Sequence, residues 1–498
     1  MLICAEEDAT DIEFVRFFKY VDGELIWRPE HGDNEEPTGR LKEADIALIV
    51  QQSNQQQSDW EGSYHICSLV EESAGNPPKL QASVVANKLP QHILDKYLLT
   101  KVPEHLVCDG THRLTVVVST NAGLCQAETF YRQVLRRLLG ALGLVGVTEW
   151  SKDKDQDKYE VIFTKSDQTI RELSKQLSES ATTGQARTVV LLSGDGGVVD
   201  LLNGPDQVSS LPSGPKPTIA LLPFGTGNAL FHSLHKPLYA APSAPSHYVL
   251  GLRTLFEGVP APLPTFEASF APGSRLISYS DGAASDEAGE AEEQRQAVSR
   301  LVGAIVASYG FHASLVWESD TPAYRKHGAQ RFHMAAGELL KLGHGYEVDV
   351  EVRVPGGGRD EWRRLGEETD RFGYVLATLV SSLEKTFTIS PASQPLDGKL
   401  RLVTFGDVGG EKTMDVMKGA YDNGSHVGMR WTLEDGREER VGYEEVEEVR
   451  ITIREEDARW RKVCIDGTIV ELPPNGGWMR VKTSPEPRFD VVVDRAVI

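Results

Sequence analysis

Two short glycine-rich stretches hold the residue types best suited to chemistry. The first reads Thr188-Val-Val-Leu-Leu-Ser-Gly194-Asp195-Gly196-Gly-Val-Val-Asp200-Leu-Leu-Asn203-Gly204. An apolar strand pattern passes into three glycines around one aspartate, and a short apolar helix follows that Asn-Gly stops. Glycines let a backbone approach a phosphate closely, and the N–H groups opening the next helix favour its charge. The second stretch, Thr218-Ile-Ala-Leu-Leu-Pro223-Phe-Gly225-Thr226-Gly227-Asn228-Ala-Leu, repeats the design of strand, loop and helix. The loops lie about thirty residues apart, the length of one βαβ unit, which predicts that they sit side by side on one sheet edge. A lone Gly-Asp-Gly turn is as well explained by a tight turn; two adjacent loops make a phosphate cradle. Asp195 gains weight from its place at the carboxyl end of a strand, where open α/β sheets take ligands. Neither loop is G-x-x-x-x-G-K-[ST] or G-x-G-x-x-G, so neither standard nucleotide fingerprint is present.

The surrounding pattern supplies the elements that must position these loops. Apolar runs at 113–118, 159–163, 188–192 and 218–222 read as strands. Between them, 126–139 places Phe130, Val134 and Leu138 on one helical face, and 167–177 does the same with Ile170, Leu173 and Leu177. Strands alternating with helices predict an α/β domain with a parallel sheet over residues 111–260. Residues 1–110 read as a small β-rich region, with apolar runs at 44–50, 64–70 and 80–85 and a helical pattern at 90–99; no motif there suggests chemistry. Residues 261–498 are β-rich again: 346–354 and 448–455 alternate apolar with polar, as strands with one wet face do. Further strand runs stand at 304–317, 374–380, 399–405 and 489–493. The acidic stretch 281–297 reads as a solvated, disordered insertion.

Composition bounds the function. A chain of 498 residues exceeds one ordinary core, and two or three domains are expected. A net charge of −21 speaks against nucleic acid as a partner and against a membrane surface held by global electrostatics, leaving room for a local docking patch. The five cysteines (Cys4, Cys67, Cys108, Cys125, Cys464) form no C-x-x-C pair, which argues against a disulfide framework or zinc site and for a reducing compartment. The acidic start lacks the features of a signal peptide, and no run approaches the roughly 20 apolar residues of a spanning helix. Asn423-Gly424-Ser425 reads as a turn. A cytoplasmic globular protein without a transmembrane segment is expected.

The pair S-G-D-G-x-x-x-[DE]-x-x-N-G and P-x-G-[ST]-G-N-A-L resembles the signature of the sphingosine, ceramide and diacylglycerol kinases. The likeness continues through Ala307-Ser-Tyr-Gly310-Phe311-His-Ala313, Glu318-Ser319, Tyr324-Arg325, Gly328 and Arg331-Phe332, then Pro395-Leu-Asp397-Gly398 and Val463-Cys-Ile-Asp466-Gly467. It runs from Arg113 to the C-terminus. It implies an α/β nucleotide-binding domain followed by an antiparallel β-rich sandwich domain that takes the lipid. ATP and Mg²⁺ would be the cofactors, and a lipid met by transient peripheral attachment to a membrane surface the acceptor; the oligomeric state stays open. Carried over by position, Asp195 would accept the proton of the lipid hydroxyl. Gly194, Gly196, Gly225, Thr226, Gly227 and Asn228, with Gly123 and Thr164, would line the nucleotide. Arg325 and Arg331 would neutralise phosphate charge, and Asp466 would help to hold Mg²⁺ or a water on it. Positioning and charge neutralisation supply most of the catalysis of phosphoryl transfer.

Three positions depart from the family pattern. The first loop, N-P-x-[SG]-G in the family, is Ser119-Thr-Asn-Ala122-Gly123 here. Thr468 replaces a glutamate after Asp466-Gly467. Ser314 and Val316 stand in the substrate-binding segment where sphingosine kinases carry aspartates. Two readings follow: an active lipid kinase acting on a sphingolipid or diacylglycerol-type hydroxyl, or a pseudokinase that binds nucleotide or lipid without turnover. Outside the matched segment, Arg325 and Arg331 would read as surface residues, and Asp397 as the shaper of a Leu-Asp-Gly-Lys turn.

Overall fold

The apolar runs at the start of the chain close into a seven-stranded sheet. Its strands are β1 (Ile12–Val21), β2 (Glu24–Pro29), β3 (Gly39–Lys42), β4 (Ile46–Gln51), β5 (Tyr64–Val70), β6 (Lys79–Val85) and β7 (Leu98–Leu99), in the order β3-β2-β1-β6-β5-β4-β7. Helix α1 (Gln91–Tyr97) brings Ile93 and Tyr97 into a core with Leu25, Trp27, Ile46, Ile49 and Ile66. Strand side chains alternate between faces, and Cys67, Leu69 and Leu80 enter a different core, the one that also contains Leu114, Val116 and Val190. The boundary expected near residue 110 therefore separates two sheets that share one interior.

The structure is a computed structural model that describes residues 12–29, 39–51, 64–71, 76–85, 89–148, 157–166, 168–182, 184–204, 214–240, 243–279, 293–328, 330–356, 361–366, 370–433 and 436–498. The chain divides into two compact units, Met1–Thr226 with His235–Pro262 and Arg488–Ile498, and Gly227–Leu234 with Leu263–Pro487.

The central strands of the first unit's second sheet, His112–Val118, Ala186–Ser193 and Thr218–Pro223, are buried on both faces, which explains their near-continuous apolar character. In chain order the elements are β8 (His112–Val118), α2 (Ala127–Phe130) running through a π turn (Tyr131–Leu135) into α3 (Arg136–Ala141), β9 (Val145–Val147), β10 (Lys158–Phe163), α4 (Gln168–Thr182), β11 (Ala186–Ser193), α5 (Asp195–Leu202), β12 (Thr218–Pro223), α6 (Ala229–Leu234, within the second unit), α7 (His247–Glu257) and β13 (Val259–Pro262). Strands β12, β11, β8, β10 and β9 are parallel neighbours. The last strand, Asp490–Val493, inserts between β12, to which it is parallel, and β13, to which it is antiparallel. The sequence reading placed 489–493 with the β-rich half. Its three consecutive valines suit a strand buried on both faces, and that place exists in the parallel sheet.

The second unit is dominated by a 14-stranded antiparallel sheet. Along Tyr346–Arg353, Tyr346, Val348, Val350 and Val352 are buried while the intervening residues are partly exposed, as the alternation predicts. Val350, Leu402, Val463, Val470 and Val481, from strands spread across this sheet, share one core, so the sheet folds over on itself as a sandwich does. The disordered insertion expected over 281–297 needs correction at its end. Glu293–Ala297 is an exposed strand paired antiparallel with Arg275–Tyr279, where backbone pairing and ion pairs from Arg295 to Glu293 and Glu471 order a polar segment. Residues 280–292 lie outside the described residues.

His105 gives the first unit an acid-sensitive joint. It is buried, and its Nε2 lies 2.7 Å from the Leu255 carbonyl of α7. Burial lowers its pKa, partly opposed by that hydrogen bond. A folded-state pKa below the unfolded value makes the unfolded chain bind more protons, so stability is complete above about pH 6.5 and falls as the pH drops below it. Urea midpoints at pH 7.5 and 5.5 should show this loss in the wild type and a flatter response in His105→Gln.

Candidate nucleotide and phosphoryl-transfer site

The glycine loops meet at the carboxyl ends of the parallel strands, tied by backbone hydrogen bonds. Ser119 N donates to Leu192 O, Thr164 N to Val118 O and Phe224 N to Ser193 O, each at 3.0 Å. These bonds bring Gly123, Thr164, Gly194, Asp195, Gly196, Gly225 and Thr226 to one edge of the first unit. Gly194 caps α5 in an extended conformation, and Asp195 opens the helix, partly buried. A Cβ at the exposed Gly196 would meet nothing within 4 Å, so the backbone there is open to approach. Gly123 has φ +53°, and a Cβ on it would lie 2.3 Å from Phe224 O, so this glycine lets the first loop seat against the second. The hydroxyl of Thr164 accepts from Thr120 N at 3.1 Å, which fixes the turn after β10.

Other residues of the first signature hold the helix instead of facing solvent. A Cβ on Gly197 would lie 2.4 Å from Ser193 Oγ. Asp200 pairs with Arg171 of α4 at 3.0 Å, and Ser174 Oγ of the same helix donates to Leu201 O at 2.7 Å. Asn203 Nδ2 donates to Val199 O, and a Cβ on Gly204 would collide with Ser174 Oγ at 2.4 Å. Sequence reasoning missed Arg171 and Ser174. They flank the apolar set Ile170, Leu173 and Leu177, and the available signal was a cation one position beyond a buried residue. It also missed the ring cluster behind the loops: Phe130 and Phe224 lie 4.9 Å apart, and Tyr248 of α7 lies 5.7 and 5.3 Å from them.

The second unit holds the remaining site residues. Gly227 and Asn228 start its first segment, Asn228 with φ +52°, a conformation asparagine tolerates. Arg325 makes a two-pronged contact with Asp320, at 3.2 and 2.9 Å, and Arg331 reaches the same carboxylate at 3.3 Å. The structure thus brings both arginines together at one anion. Helix α8 (Phe311–Ser319) carries the substrate-segment positions. Ser314 is buried and its Oγ accepts from Tyr346 OH at 2.8 Å, while Val316 packs against the Ile277, Ala313, Cys464 and Ile469 cluster. Glu318 is buried and bound by Arg459 Nε and Nη2 at 2.9 and 2.6 Å.

Asp466 has an occupation that the expected metal role did not foresee. With φ +47° and Gly467 at φ +88°, it forms the two-residue turn of the hairpin joining Lys462–Ile465 to Thr468–Glu471, a turn that requires positive φ at both centres. Its buried carboxylate accepts from Ala304 N, Ile305 N and Val306 N at 2.6, 3.1 and 2.6 Å. Among the described residues no group of three or more His, Cys, Asp or Glu is placed to hold a metal ion. The geometry gives Asp466 the work of a buried clamp on a turn, with three backbone donors on its carboxylate.

Parallel strands ending in adjacent glycine loops, with a carboxylate at a helix start, make up the α/β part of the first unit. Residues 113–255 match the family model of the diacylglycerol kinase catalytic domain. Among curated proteins none matches the chain. A Bacillus anthracis protein provisionally assigned as a diacylglycerol kinase is similar in structure, with 14% identity, a TM-score of 0.47, and coverage of 78% of this chain and 96% of that one. A diacylglycerol kinase of the same organism gives 13%, 0.44, 78% and 98%. Neither likeness is close enough to specify a substrate.

Asp466→Asn must turn an NH₂ group towards backbone donors. It should cost about 1–3 kcal/mol, read as a lowered denaturant midpoint, with no change in the magnesium dependence of nucleotide binding. Gly197→Ala, which needs Ser193 to move, should cost a similar ~1–3 kcal/mol in the same assay.

Proposed function

We propose that this protein transfers the γ-phosphoryl group of ATP to a lipid hydroxyl, with Asp195 taking the hydroxyl proton. The observation that carries the reading is Asp195 at the start of α5, beside the open backbone of Gly196 and next to the second glycine loop. The N–H groups opening α5 favour phosphate oxygens, and their fixed orientation avoids reorganisation as charge shifts. In the step, the lipid O–H bond breaks towards the Asp195 carboxylate and the oxygen bonds to the γ-phosphorus. The bond from that phosphorus to the bridging oxygen breaks, and ADP leaves. Magnesium would come with the nucleotide phosphates, as it does in sites without an all-protein cage. Arg325 and Arg331 are the cations assigned to phosphate charge.

The acceptor we favour is a neutral lipid such as ceramide or diacylglycerol. A sphingoid base carries an ammonium group whose burial is costly without a carboxylate partner. The one carboxylate on α8, Glu318, is taken up by Arg459. Ser314 is engaged by Tyr346, and Val316 packs inside. Among the described residues no helix is long and apolar enough to cross a membrane. The lipid is proposed to be met by transient peripheral attachment from the cytoplasm.

Labelled-ATP turnover against a lipid panel tests the reading. Asp195→Asn should lower kcat about 10²–10⁴-fold while ATP still binds, because general-base assistance is lost and the glycine backbone is intact. Unchanged turnover in that variant refutes the assignment, and a wild type that binds ATP but turns over no lipid establishes the non-catalytic alternative. In the same panel, kcat/KM for ceramide or diacylglycerol should exceed that for sphingosine; a clear preference for sphingosine sinks the neutral-acceptor proposal.

A further inference from the structure

Helix α7 is held at two places by different parts of the first unit. Near its start, the Tyr248 ring lies against Phe224, which begins the second glycine loop, and Phe130, which follows the first. Tyr248 OH also donates to Gln126 Oε1 at 3.4 Å, just beyond the first loop. Further along, Arg253 points into the N-terminal sheet. Its Nε donates to Ile46 O at 2.8 Å, and its Nη2 to Glu43 O and Ala44 O at 2.9 and 3.3 Å. The guanidinium lies 4.6 Å over the Tyr97 ring.

The receiving end of this contact is itself braced. The Glu43 side chain accepts from Lys96 Nζ at 2.7 Å, from Tyr97 OH at 2.9 Å and from Tyr20 OH. Burial pushes the Glu43 carboxyl up, but those hydrogen bonds override it and hold it at about 2. Strand β1, the turn before β4 and helix α1 therefore converge on one anion, beside the carbonyls that Arg253 binds. Arginine offers a rigid fork of donors, which suits the carbonyls of Glu43, Ala44 and Ile46 together.

We infer that Arg253 is a positioning residue of the nucleotide loops: it fastens the N-terminal sheet to α7, and α7 holds Tyr248 between the aromatic anchors of both glycine loops. This gives residues 1–110 a task within the catalytic domain. The readout through nucleotide binding rests on the ATP reading above.

The test uses the full chain with Arg253→Met, Arg253→Lys, Tyr248→Ala and the double variant Arg253→Met/Tyr248→Ala. ATP binding is measured by calorimetry, and amide hydrogen exchange is followed over residues 119–126, 194–197 and 224–226. Arg253→Met should weaken ATP binding roughly 5- to 10-fold, with Arg253→Lys in between because a single ammonium cannot span the carbonyls. The loss should be non-additive with Tyr248→Ala, since both act through one contact chain. Exchange at the three loops should quicken. Wild-type ATP affinity and unchanged loop exchange in a folded Arg253→Met overturn the inference, whatever happens to the melting temperature. Should Arg253→Met fail to fold, Arg253→Lys decides by the same two measurements. If the wild type itself binds no ATP, the functional reading falls, and loop exchange alone decides the role of Arg253.

Discussion

The hydrogen bond from Phe224 N to Ser193 O is the hinge of this structure. It forms one step past the last paired residues of β11 and β12, Ser193 and Pro223, and sets one glycine loop against the other. A slip of one residue in a parallel pair would reverse the faces of every following side chain. The apolar run 188–192, buried on both sides, cannot detect such a slip. The close approach of Gly123 to Phe224 O can, because it seats the first loop against the residue that follows β12. A packing glycine thus protects the alignment from which the open backbone at Gly196 benefits.

The two roles of glycine explain how much of the site was legible. The loops, their strands and their adjacency follow from local pattern, since strand, turn and helix signals lie within a few residues of one another. Which glycine faces a ligand and which faces a side chain depends on Ser174, Ser193 and Phe224, and spacing does not report those contacts. Arg253 was illegible for a stronger reason: its partners are backbone carbonyls 207 to 210 residues away, and a carbonyl has no sequence signature. The last strand was misplaced because apolar residues at 491–493 announce burial without naming the sheet.

Asp466 shows a signal that was present and outweighed. Val463-Cys-Ile-Asp466-Gly467-Thr-Ile-Val is a two-residue hairpin in plain form, Asp-Gly between apolar flanks. The family likeness drew attention to its charge, whereas the fold uses its backbone conformation and its capacity to accept hydrogen bonds. Asp466 clamps Ala304–Val306, and Thr468 opens the return strand of the same hairpin.

Charge in the second unit follows a different economy from the loops. Glu318 and Arg459 form a pair with a buried carboxylate, and removing one partner would strand a charge in a poor solvent. Asp320 is 41% exposed in its side chain, yet it holds both Arg325 and Arg331. Exposed pairs of this kind are worth about 0–1 kcal/mol, so exchanging the carboxylate for another anion costs little. A guanidinium already oriented by a two-pronged contact loses less rotamer freedom when a phosphate takes the carboxylate's place. The proposed function thus asks of these arginines only a change of anion, while α8, fixed by Glu318 against Arg459 and by Ser314 against Tyr346, keeps its place.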